Sequence, residues 1–385
     1  GVIMLRHTII PGLFSLLLFN CSSTGLIVEV QNPLQVKRSE IISLQRSQLS
    51  EKLDCDLPLQ VVDYRGGNLL PVQFLDLDQD HSWEAMLIQV NMDPLETRKL
   101  SIENVESVRN DSESKVFGRF VPERKDDFAW ENDRIAFRMY GPALEATGEI
   151  SSGVDVWVKS VDYPIIDKWY AHGKYHKDEG EGADLYKVGP TLGCGGLGLL
   201  YNDSLYTSKN FSDYRILAEG PLRFVFELDY AEWGPEEYRL IETKRISLDM
   251  GSHFNRIESR VTGINPASEK PVFVAGLLAH PQHSDIPVSI NRSDSYLMMY
   301  EGIQGNNGEI GSGVILDAGA GKTSIKQYGD QYLLPLQISS SGEVSYRAGA
   351  GWSKSPWFAS EETWTDLIRS HINQTSEPLK IKIIN

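Results

Sequence analysis

The sequence predicts an all-β fold: a large antiparallel β-sandwich with few short helices. Three observations predict it. Apolar runs are short and separated by turn signals throughout the chain. Several runs alternate apolar and polar side chains, as half-buried strands do. Gly, Pro and β-branched residues recur too often for long helices, with one exception near the C-terminus.

Near the start, Arg6 and His7 precede an apolar run, Ile9 to Phe19, and then Asn20-Cys21-Ser22-Ser23. A basic start, a short apolar stretch and small polar residues describe a secretory signal over 1–21 rather than a membrane span. Cys21 also suits a lipoprotein cleavage site and a lipid anchor, so export to the periplasm or outer membrane is expected. Residues 22–385 then form a single large β-sandwich domain, with an N-terminal sub-sheet over 26–100. In that sub-sheet LIVEV, LQVVDY, PVQFLDL and EAMLIQVNM are the strands. Between two of them, Asp76, Asp78, Asp80 and Glu84 occupy positions 1, 3, 5 and 9 of a short acidic loop. Calcium takes such cages of hard oxygens, although His81 stands where a calcium loop has glycine. An acidic hairpin turn is the alternative.

Residues 101–128 read as a polar connector or exposed hairpin. From Arg134 the alternation is clean: Ile135, Phe137 and Met139 share one face, and Arg134, Ala136, Arg138 and Tyr140 share the other. Arginine forks match carboxylates and sulfates, so Trp130, Arg134, Arg138 and Tyr140 are candidate substrate-binding residues. Pairing of the arginines with Glu131 and Asp133 is the competing expectation. VDVWVKSVDYPIIDKWY (154–170) reads as a strand with a proline break.

The run Tyr170–Gly196 holds His172, His176, four acids, three lysines and three tyrosines, with almost no aliphatic side chains before Leu185. It is too polar for a core strand and too aromatic for disorder, which makes it an ordered active-site loop. After it β structure returns and persists. Ser360 to Ile372 is the exception: a Ser cap, early glutamates and spaced apolar residues predict a helix. Cys55 and Cys194 are the cysteines outside the leader and could form one disulfide. Gly319 to Ser324 evokes a phosphate loop, but Leu316 stands where that motif needs its first glycine, which excludes ATP binding.

Charge sharpens the functional reading. Lys plus Arg is 37 against 53 Asp plus Glu, a net −16. That balance argues against nucleic acid and requires a local basic pocket for any anionic ligand. Nothing in the sequence points to a stable protein partner.

The rhythm from Ala218 to Gly263 resembles that of galactose-mutarotase-like supersandwich domains. WENDRIAFRMYGPALE (130–145) together with YHKDEGEGADLYKVGPTLGCGG (175–196) resembles a bacterial family catalogued as domain of unknown function 4861, over most of the chain. The resemblance implies an oligosaccharide dehydratase of ulvan breakdown. Such an enzyme removes water from a non-reducing-end uronic acid and leaves a 4,5-unsaturated uronate, with no cofactor for catalysis. The implied substrate is an anionic oligosaccharide.

That chemistry needs a cation on the carboxylate, a base for the C5 proton and an acid for the leaving hydroxyl. Arg134 and Arg138 suit the first role, with Lys187 in reserve. His176 or His172 suits the second. Tyr186 or Tyr175 suits the acid, and Asp184 could orient a histidine. His280, with His283 close by, could reach the same cleft. A polysaccharide lyase, an epimerase or mutarotase, and a glycan-binding surface lipoprotein remain open alternatives.

Overall fold

A computed structural model describes residues 25–107, 114–264, 271–317 and 324–384. The leader and Cys21 lie outside the described residues, as does nearly all of 319–324. The architecture is the expected all-β one, built from antiparallel sheets.

Two small sheets form the N-terminal part. One runs in the order Lys380–Ile384, Leu26–Gln31, Thr97–Asn104, Leu59–Asp63. The other places Ala85–Met92 between Arg38–Gln45 and Val72–Leu75. Alternate residues of each strand point inward. Val28, Val30, Leu44, Val61, Met86, Ile88 and Ile102 therefore meet in one core. Burial of those side chains drives the pairing.

The larger part packs an eight-stranded sheet against two five-stranded ones. In the eight-stranded sheet Glu343–Trp352 is inserted between Phe254–Thr262 and Glu309–Leu316. Phe226, Ile246 and Tyr346 from it meet Trp130, Phe137 and Val156 from one partner sheet and Leu197 and Phe273 from the other.

The expected helix is present and extends to Ser376, as Glu361–Ser376. The Ser360 hydroxyl accepts from the Thr363 amide at its start. Trp364 and Ile368 bury against Phe254, Met298 and Ile315. Gly311 permits that approach, since a Cβ there would lie 2.5 Å from the Trp364 ring. Cys55 and Cys194 do not pair. Both are free and buried, one in the N-terminal core and one in the main core.

Two segments need comment. The run 154–170 is not one broken strand: Asp155–Lys159 is a strand, and Ile166–His172 is a helix. Of the two readings of 101–128, the hairpin is present, with Phe117–Val121 paired to Asp127–Glu131 across a 3-10 turn, Pro122–Arg124, but its second strand is buried and not exposed.

Candidate active site

The site is built on the five-stranded sheet ordered Gly182–Asp184, Asp155–Lys159, Ile135–Met139, Asp127–Glu131, Phe117–Val121. The alternation read from the sequence holds. Ile135, Phe137 and Met139 enter the main core with Phe128, Trp130 and Val156. The opposite face carries Asp127, Arg138, Asp155, Trp157, Lys159 and Asp184, all of them buried. Such a polar face needs a cover, and the Tyr170–Gly196 run supplies it with the preceding helix. Trp157 stacks on Trp169 and Tyr175 at centroid distances of 5.6 and 4.9 Å.

An ion pair fixes that cover. Lys159 Nζ lies 2.5 Å from Glu131 Oε2, and both side chains are fully buried. The other Glu131 oxygen accepts from the Ile165 and Ile166 amides at 2.8 and 2.9 Å. These are the unsatisfied donors at the start of a helix. The carboxylate thereby turns the chain after Pro164 into helix instead of strand.

Beside this pair lies a cluster of one guanidinium and three carboxyls. Arg138 donates to Asp155 at 2.9 and 2.6 Å and to Asp184 at 2.8 Å, and lies 3.6 Å from Asp127. Burial pushes Asp127 up to about 6, against the pull of Arg138. Burial and then repulsion from Asp155 raise Asp184 well above the usual carboxyl range, with Arg138 opposing. Burial likewise raises Asp155. One guanidinium does not neutralise three buried carboxylates, so the cluster retains protons near neutral pH. Arg138 is therefore committed to protein acids and is not the free carboxylate clamp expected from the sequence.

Two expected residues stand at the rim of this cluster. His176 Nδ1 is 3.3 Å from Asp184 Oδ2, with 61% of its side chain exposed. Partial burial lowers its pKa below 6.5, aided by Arg138 and Arg124 and opposed by its contact with Asp184. Its Nε2 has no protein partner among the described residues. The Tyr140 hydroxyl accepts from Arg138 at 3.4 Å and hydrogen-bonds Asp155. Burial and Asp155 push this phenol well above 10, despite Arg138. Tyr140 also lines a pocket of about 360 Å³ with Glu149, Ser151, Gly189 and Pro190.

The other expected residues lie elsewhere. His172 is exposed at the end of its helix and lines a cleft of about 650 Å³ with Lys174, Lys177 and Tyr175. Arg134 pairs with Asp133 at 3.4 Å, and its guanidinium sits 4.7 Å over the Trp357 ring. Trp130 is wholly in the core, donating to Asn255 Oδ1 at 2.7 Å, where no ligand reaches it. His280 is locked at both ring nitrogens, 2.8 Å from Glu301 and 2.7 Å from the Lys187 carbonyl, so neither is free to serve as a base. The Tyr186 ring meets His280 edge-on at 4.9 Å, and its buried hydroxyl donates to the Leu278 carbonyl. His283 stacks on His280, and Lys187 donates to Gln304 at 3.0 Å.

Asp127, Asp155 and Arg124 went unread in the sequence, and Tyr170 was read only as one tyrosine of the polar run. Asp155 shares its strand parity with Trp157 and Lys159, so extending the alternation rule to DVWVK would have found it. Tyr170 donates to Asp127 at 3.1 Å. No sequence signal marks Asp127 or Arg124.

In the acidic loop, ligand oxygens of Asp76, Asp78 and Glu84 lie within 4.8 Å of one another, which is spacing that a cation could use. Asp80 is not part of that group, and its Oδ1 accepts from the Ser82 amide. His81 adopts φ 71°, the left-handed turn that glycine usually makes. Asp78 accepts the Asp80 amide, which favours the carboxylate. Desolvation and repulsion from Asp80, Glu84 and Asp76 nevertheless push its pKa up.

Known proteins resemble this chain in fold or in sequence. Solved structures of an alpha-mannosidase and of a glycosyl hydrolase family 38 protein, both from Enterococcus faecalis, superpose with TM-scores of 0.51 and 0.53. Their identities to this chain are 10% and 8%, and each match covers 94% of it. The chain spans about half the length of those proteins, 46% and 47%, and the likeness is one of fold. Uncharacterized protein P7 of Formosa agariphila is 33% identical over 407 aligned positions, covering 99% of both chains. The sequence pattern of one family matches residues 30–381, and with that relative it shows that the chain belongs to the family described as "Domain of unknown function (DUF4861)".

Proposed function

We propose that this protein is a carbon–oxygen lyase that dehydrates the non-reducing-end uronic acid of oligosaccharides such as ulvan fragments. One observation carries the reading: an imidazole and a phenol of opposite tuning flank the same guanidinium–carboxyl cluster. His176 is held below 6.5 and so is neutral near pH 7, with Nε2 free to take a proton. Tyr140 is held well above 10 and so keeps its proton. Paired groups pushed apart in this way identify a base and an acid.

In the proposed step, His176 removes the proton from C5 of the sugar. The electron pair left behind forms the C4–C5 double bond. The C4–O4 bond breaks, and the hydroxyl departs as water with the Tyr140 proton. Arg138 stabilises the phenolate, and the proton-retaining carboxyls beside it restore the phenol. The fold likeness to carbohydrate-active enzymes and the motif resemblance support the substrate class.

The test is ultraviolet absorbance of the conjugated uronate after incubation with saturated uronate-ended oligosaccharides. Product is expected from wild type and not from His176→Ala, with both proteins equally folded by circular dichroism. Near-normal turnover by His176→Ala sinks the assignment. A polysaccharide lyase uses the same proton chemistry with a sugar as leaving group; product from long chains alone would select it.

We also propose that Asp76, Asp78 and Glu84 hold a calcium ion, outside the catalytic steps. The convergence of their oxygens supports this.

A further inference from the structure

Elimination next to a carboxylate needs a cation on that carboxylate, and Arg138 and Arg134 are both committed to protein groups. We infer that Arg124 recognises the uronate carboxylate and makes the site selective for acidic sugars; the inference rests on the uronate reading above.

Arg124 Nε donates to the Tyr175 hydroxyl at 2.8 Å. The Tyr175 ring lies 4.5 Å from the His176 ring, so the guanidinium sits one side chain away from the proposed base. Among the described residues no carboxylate lies within ion-pair distance of it, and its two terminal nitrogens have no protein partner. The positive charge is nonetheless felt on the site, because Arg124 depresses the pKa of both His176 and Asp127. A guanidinium with its fork free and its stem held is suited to bind a carboxylate through two parallel hydrogen bonds.

The turn that carries it is fixed. Lys125 and Asp126 both take left-handed φ, 54° and 64°, which non-glycine residues hold only when their surroundings impose it. The surroundings here are residues 141–144. Leu144 donates to the Lys125 carbonyl and Ala143 to the Asp126 carboxylate, each at 3.2 Å. Gly141 has no room for a side chain, since a Cβ there would lie 1.9 Å from the Asp126 carbonyl oxygen. The segment that follows Tyr140 thus holds Arg124 in place.

The arrangement also couples binding to basicity. A bound carboxylate offsets the Arg124 charge, and His176 then gains proton affinity when substrate arrives. A neutral sugar in the same place leaves the imidazole depressed.

The experiment follows the His176 imidazole by NMR in wild type, Arg124→Gln and Arg124→Lys. Each is titrated with a glucuronate-ended oligosaccharide and with its neutral glucose-ended counterpart, and unsaturated product is assayed in parallel. Three results are expected. Wild type binds the acidic sugar in preference, and its His176 pKa rises on binding. Arg124→Gln binds the acidic sugar roughly 10- to 150-fold more weakly, the span of a charge-assisted hydrogen bond. Its His176 pKa is already raised without ligand, and Arg124→Lys falls between the two. Equal acidic-sugar affinity in wild type and Arg124→Gln, or no preference for the acidic sugar in wild type, overturns the inference. Arg124-dependent binding without any product supports the recognition role and overturns the dehydratase reading instead.

Discussion

Replacing Arg138 by Met tests whether the guanidinium neutralises buried acids. The change keeps most of the side-chain volume and removes three close hydrogen bonds, two to Asp155 and one to Asp184, together with the charge near Asp127. Stripping one partner from a buried ion pair costs about 3–5 kcal/mol when the remaining charge persists. When the carboxyls are neutral, the loss reduces to hydrogen bonds worth about 1 kcal/mol each, partly remade among the acids. The penalty therefore depends on pH. A carboxyl with a raised folded pKa contributes stability that is fully present below its unfolded value and is lost as pH rises through its folded value. Asp127 rises from 3.8 to about 6 in the wild type, which is worth roughly 3 kcal/mol. Without Arg138 it rises further. Wild type and variant should lose stability in parallel up to about pH 6 and diverge above it, reaching the full penalty near pH 8. Urea denaturation from about pH 5 to about pH 8 measures this, with the slope in urea checked for constancy. A penalty that is constant across the range, or one below about 1 kcal/mol at the alkaline end, refutes the argument.

Three further outcomes follow from the same geometry. His176→Gln should lower kcat/KM by roughly 10²- to 10⁴-fold and abolish its acid limb below 6.5, whereas Tyr140→Phe should lower the rate and keep that limb; the reverse pattern would exchange their roles. Burial lowers the His280 pKa, but the hydrogen bond and charge of Glu301 raise it more, to a net value above 6.5. The stability from this pair is thus fully present below 6.5 and is lost as pH rises through the folded value, so Glu301→Gln should lower Tm most in acid and progressively less above it. Calcium should raise the Tm of wild type over that in chelator, and Asp78→Asn should remove most of the increment; equal responses in both proteins would leave the acidic loop as a turn alone.

Strand parity was legible because a half-buried strand writes its two faces into alternate residues. It identified Ile135, Phe137 and Met139 as core and Arg138 and Tyr140 as the opposite face. Parity did not reveal that this second face is covered, because the cover comes from residues 166–184 and closes through an ion pair between Glu131 and Lys159. The same contact explains the helix misread as strand, since its first amides are satisfied by a carboxylate more than thirty residues earlier. Local sequence carries no trace of such long-range partners. The motif loop was legible from composition, but its chemistry was dispersed. His176 and Asp184 belong to one cluster, His172 to an open cleft, and Tyr186 and His280 to a structural pair. Trp130 was read as a candidate substrate contact, and its position in the core follows from its parity with Phe128.

The strand Lys380–Ile384 pairs with Leu26–Gln31, matching Ile27 with Ile384. The two strands lie near opposite ends of the described residues, so Leu26–Gln31 keeps one edge open until Lys380–Ile384 reaches it. Pairings of such separation slow folding, and an exposed edge invites other chains to add to it. The waiting strand is guarded: Glu29 lies opposite Lys382, so a foreign apolar strand in that register would leave a glutamate unmatched. Lys380–Ile384 thus covers the Leu26–Gln31 edge and becomes the edge of that sheet itself, with Lys380 and Lys382 exposed along it, so removing it should promote aggregation before it affects the distant Arg138 cluster.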